Sequence, residues 1–114
     1  MSNGKFRSFT EEEKLFTGKF RNQIKTTEDV SDLRNFFSNT VAELLSAALE
    51  SSVIIDGGDV TFEPAQTDHF TLSGRLRNSA PFMETWNNSN LPHIVAKAAD
   101  TAHHRYLHLN KHQE

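Results

Sequence analysis

His69-Phe70-Thr71-Leu72-Ser73-Gly74-Arg75-Leu76-Arg77 is the stretch on which the reading of this chain turns. Phe70, Leu72 and Leu76 fall on one side of a two-residue period, with Thr71, Ser73, Arg75 and Arg77 on the other. That alternation predicts a nine-residue, half-buried strand. Working back from it, Pro64 to Asp68 reads as a turn, and Val60-Thr61-Phe62-Glu63 as a second alternating strand. Asp56-Gly57-Gly58-Asp59 carries turn chemistry, and Val53-Ile54-Ile55 is a β-branched run that reads as the first strand. Short links between three strands predict an antiparallel meander.

The segments around this meander have helical period. Thr10-Glu11-Glu12-Glu13 has the form of a capping box, followed by Phe16, Phe20 and Ile24 at intervals of four. Gly18 weakens that helix by up to about 1 kcal/mol relative to Ala, so it depends on packing. After Asp29, Val30, Leu33, Phe37, Val41, Leu44, Leu45 and Ala48 make a broad apolar face over about 20 residues. Beyond the meander, Ser79 and Pro81 open a short helix that contains Phe82, Met83 and Trp86. Asn90 and Pro92 open a long one with a stripe of Leu91, Val95, Ala98, Ala102, Tyr106 and Leu109. The expected fold is α+β, a two-layer sandwich with a three-stranded antiparallel meander covered by helices, in the order α-α-β-β-β-α-α. Residues 1–9 read as a flexible tail and residues 10–112 as a single domain.

The totals narrow the function classes. With 114 residues there is room for one core. Nine Phe, one Trp and one Tyr against a net charge of −3 argue for a folded chain rather than a disordered one. Twelve basic and fifteen acidic side chains are mixed along the chain and provide no excess of cations for phosphate, which makes nucleic acid an unfavoured partner. The absence of cysteine removes disulfides, thiolate metal sites and thiol nucleophiles. It suits a cytoplasmic setting. No signal-peptide core and no membrane-length apolar run is visible.

Three groups of residues can carry chemistry. Asp100, His104 and His108 are spaced by four on the last helix, so they share one side of it and could ligate zinc or nickel. The same spacing fits a solvated face whose histidines sit near the negative end of the helix dipole. On the strand's polar face, His69, Arg75 and Arg77 could take a carboxylate or phosphate, against the plainer reading of exposed charges. Phe82, Met83 and Trp86 supply apolar and aromatic surface of the kind that anchors protein partners, or else closes the core. No Ser sits in a nucleophile elbow. The Gly57-Gly58 turn leads into a strand and is flanked by acids, unlike a phosphate loop. The expected function is therefore a non-enzymatic protein-interaction or regulatory module that binds a partner or itself as a homodimer. The alternative is a small-molecule or metal-handling protein that uses the histidine-rich helix or the polar sheet face.

Overall fold

Three long helices form the body of the protein. The computed structural model describes residues 8–112, in which α1 spans Thr10–Ile24, α2 spans Val30–Ala48 and α5 spans Leu91–His112. Helix α2 starts where its sequence says it should. The Asp29 carboxylate accepts the Asp32 N–H at 2.8 Å, satisfying one of the donors that a helix start leaves open. Its apolar face is buried at Leu33, Phe37, Val41, Leu44, Leu45 and Ala48. It packs on the stripe of α5, where Ile94 and Ala99 widen the expected row of Leu91, Val95, Ala98, Ala102 and Leu109. Alanines at three of these positions let the two backbones approach closely.

Helix α1 is held by aromatic contacts rather than by a cap. Phe20 is buried, with its ring centroid 5.3 Å from Phe16, 5.2 Å from Phe36 and 6.3 Å from Phe37. Phe37 in turn meets Phe62, and Phe62 meets Tyr106. The capping box expected at Thr10 is not formed. The N-cap is Phe9, with no side-chain hydrogen bond, and Thr10 is already helical. Phe9 is buried and its N–H donates to Asn90 Oδ1 at 2.8 Å, so tertiary contact shifts the helix start by one residue. Of the expected tail 1–9, residues 1–7 lie outside the described residues.

The meander is where sequence and structure part. Among the described residues only two strands form, β1 at Val60–Phe62 and β2 at Phe70–Leu72, paired antiparallel with Thr61 opposite Thr71. The molecule is mainly helical, and the expected three-stranded sandwich is replaced by a helical body with one small hairpin. Among the described residues Val53–Ile55 joins no strand, and side chains take two of its carbonyl groups. Arg75 Nη2 donates to Ile54 O at 2.7 Å, and Ser46 Oγ donates to Ile55 O.

The alternating segment breaks at Ser73, whose hydroxyl accepts the Leu76 N–H at 3.2 Å and caps a one-turn helix, α3, Gly74–Arg77. Leu72 and Leu76 are four apart, so the same apolar pair fits either period, and the cap decides between them. Asp56–Asp59 is likewise not a hairpin turn. Gly57–Asp59 forms a 3₁₀ turn with reciprocal hydrogen bonds between Asp56 and Asp59. Helix α4, Ala80–Asn87, follows with Ser79 as its N-cap. Among the described residues no helix is long and apolar enough to cross a membrane.

Candidate functional site

Sequence-predicted site residues are scattered by the fold, and one subset is brought together. His69, Arg75 and Arg77 do not share a sheet face. Strand β2 ends at Leu72, so the two arginines lie on α3, and His69 precedes the strand in the left-handed region with φ 67°. Arg75 is engaged. Its guanidinium ion-pairs with Asp59 and also donates to Ile54 O. Arg77 is exposed and forms no ion pair among the described residues. Phe82 is wholly buried and belongs to the core, whereas Met83 and Trp86 are half-buried against it. Asp100 and His104 approach at 4.0 Å on an exposed face, but among the described residues no three acidic or histidine side chains gather to hold a metal ion.

Asp59 is the polar centre of the hairpin. Its carboxylate accepts the Ser73 hydroxyl at 2.6 Å, the Asp56 N–H at 3.0 Å and the Arg75 guanidinium. Its backbone oxygen accepts the Ser73 N–H at 2.8 Å. Burial opposes ionisation of this acid, but the donors from Ser73, Asp56 and Arg75 outweigh it and hold the carboxyl below the usual aspartate value. Its carboxylate oxygens accept from groups of the protein itself, which makes Asp59 a fastener between β1 and α3 rather than a reactive group. The sequence signals for it were the Asp-x-x-Asp box at 56–59 and the capping Ser73. The first read as a turn between strands and the second lay inside a predicted strand.

His69 and His103 form a second unexpected contact. Their rings stack at 4.0 Å with an interplanar angle of 3°, and His103 also faces Tyr106. Burial, followed by repulsion from His69 and His104, holds His103 below the usual histidine value, with Asp100 opposing. The stack pins the start of β2 to α5.

The strand edge completes the site. Hydrogen bonds from the Ser73 N–H to Asp59 O and from the Glu63 N–H to His69 O, each 2.8 Å, flank the ladder. They make Thr61 and Thr71 a hydrogen-bonded pair in the alternating antiparallel pattern. The N–H and C=O groups of Phe70 and Leu72 therefore point away from β1. Among the described residues nothing takes them. The opposite edge differs, since β1 packs on α2 and Arg34 donates to Phe62 O at 2.9 Å.

Beside the open edge lies a recess of about 520 Å³ lined by Asp68, Phe70, Thr71, Leu72, Arg77 and Trp86. Trp86 stacks on buried Phe82 at 5.6 Å and meets Phe70 edge-on at 6.3 Å, so the indole is packed between two aromatic rings at the wall. An open strand edge, an aromatic wall and exposed charges at the rim thus lie together at one recess. Comparison with protein-family models, curated proteins and solved structures finds no match to this chain.

Proposed function

We propose that this protein is a non-enzymatic protein-interaction module, acting in the cytoplasm, that docks an extended segment on β2 beside Trp86. The observation that carries this reading is the row of outward N–H and C=O groups at Phe70 and Leu72 next to a half-buried indole. Main-chain bonds along such an edge supply affinity, and the recess supplies selectivity for the side chains above it. The polar groups best placed for chemistry, Asp59, Ser73 and Arg75, are tied to one another, which supports a binding role over a catalytic one. The lack of cysteine supports the cytoplasmic setting.

Site-specific photo-crosslinking in the cell of origin tests the proposal. A benzophenone side chain placed at position 77, at the rim of the recess, should yield a covalent adduct with a polypeptide. The same group at position 11, an exposed position on α1 outside the lining of the recess, should not. Adducts from both positions alike, or from neither, would overturn the reading.

A further inference from the structure

We infer that the segment docking on β2 is the β2 of a second copy, so that the chain forms a symmetric homodimer with a continuous four-stranded sheet. This rests on the interaction reading above and names its partner.

Because the free groups belong to Phe70 and Leu72, an antiparallel copy centred on Thr71 sets Phe70 opposite Leu72 of the second copy, and Leu72 opposite its Phe70. Each of those pairs exchanges two main-chain hydrogen bonds, so one two-fold arrangement satisfies all the outward groups on both copies. Thr71, whose own groups face Thr61, then lies on the axis as a non-hydrogen-bonded pair.

Side chains fit the same register. Phe70 and Leu72 share the sheet face of Val60 and Phe62 but are only half-buried, whereas Val60 and Phe62 are fully covered. The pairing places each half-buried Phe70 against a half-buried Leu72, a favourable cross-strand apolar pair. Charge is complementary too. Asp68 precedes β2 and Arg77 follows it, so the antiparallel copy sets the acidic end of one strand beside the basic end of the other. Neither Asp68 nor Arg77 has an ion pair among the described residues. The assembly also closes, because the far edge of β1 is covered by α2 and by Arg34, so growth stops at two.

Two measurements test this together. In an equimolar mixture of ¹³C-labelled and unlabelled full-length chain, an isotope-filtered experiment should show a strong contact between the Thr71 Hα protons of different copies. The paired Cα atoms at such a site lie about 4.5 Å apart. Sedimentation should show a dimer that Asp68→Lys or Arg77→Asp weakens about tenfold, with the double reversal restoring it. Both positions are exposed, so the variants keep the fold.

A chain that stays monomeric at about 1 mM would overturn the self-pairing. So would a dimer without the Thr71 contact, or one that the double reversal does not rescue. The crosslinking result separates this from failure of the interaction reading. An adduct only with a different polypeptide overturns the homodimer and leaves the module standing, whereas no adduct at position 77 removes both.

Discussion

Replacing Asp59 by Ala probes the contact that decides the fold between residues 56 and 77. The carboxylate receives the Ser73 hydroxyl, the Asp56 N–H and the Arg75 guanidinium. Hydrogen bonds to a charged acceptor contribute about 1.5–3 kcal/mol each. The Ser73 and Asp56 donors are part-buried, and the low end of that range for both amounts to about 3 kcal/mol. Arg75 adds little, because its side chain is 52% exposed and regains water when released. With an unfolding entropy near 2.1 cal/mol/K per residue, about 3 kcal/mol corresponds to a fall in Tm of about 12 °C.

Urea unfolding followed by Trp86 fluorescence, with thermal unfolding followed by circular dichroism, measures both quantities. The pH dependence adds a second condition. Since the folded carboxyl lies below its usual value, the stability it contributes is present above the ordinary aspartate range and is lost as pH falls through the lowered value. The difference between wild type and Asp59→Ala should therefore narrow on acidification. A loss under 1 kcal/mol at pH 7, or a gap that stays constant into strong acid, would refute the assignment of Asp59 as the fastener.

Two further outcomes follow from part-buried polar groups. His103 sits below the usual histidine value, so as pH drops through about 6.5 the unfolded chain takes up its proton before the folded chain does, and stability declines. His103→Phe keeps a ring for the stack, and urea titrations between pH 8 and pH 5 should show a shallower decline than in wild type; equal slopes would contradict the burial argument. Arg105 Nη2 donates to Thr27 O, joining α5 to the link between α1 and α2. Arg105→Met, which preserves the stem, should cost about 1–2 kcal/mol in urea unfolding, and a variant within 0.5 kcal/mol of wild type would show that this carbonyl finds water instead.

Helices were readable because each depends on a repeating pattern many residues long. The α2 face from Leu33 to Ala48 and the α5 stripe from Leu91 to Leu109, apart from the half-buried Tyr106, are buried as their spacing predicts, since a helix satisfies its own backbone and leaves only its apolar face to be covered. Short segments lack that redundancy. Ser73-Gly74-Arg75-Leu76-Arg77 alternates like a strand, yet its apolar residues also fit a helical turn, and the outcome depends on a serine hydroxyl whose partners include an aspartate fourteen residues away. Val53-Ile54-Ile55 has strand chemistry but, among the described residues, no strand beside it, and Ser46 and Arg75 satisfy two of its carbonyls. A strand exists only where a neighbour accepts its hydrogen bonds, and a single sequence does not state who the neighbour is.

The same division holds at the site. Trp86 and Arg77 could be named as contact residues from their chemistry, but only the folded chain sets them around one recess with Phe70 and Asp68. Phe82, of the same residue class as Trp86, is drawn entirely into the core. His69 and His103 are thirty-four residues apart and carry no shared motif; their stack arises because β2 starts over α5. The sequence by itself determined the three long helices and their buried faces, since local periodicity and burial agree there. The tertiary structure alone decided the number of strands, the Asp59 fastener and the open edge of β2, because each depends on hydrogen-bond partners far away in the chain.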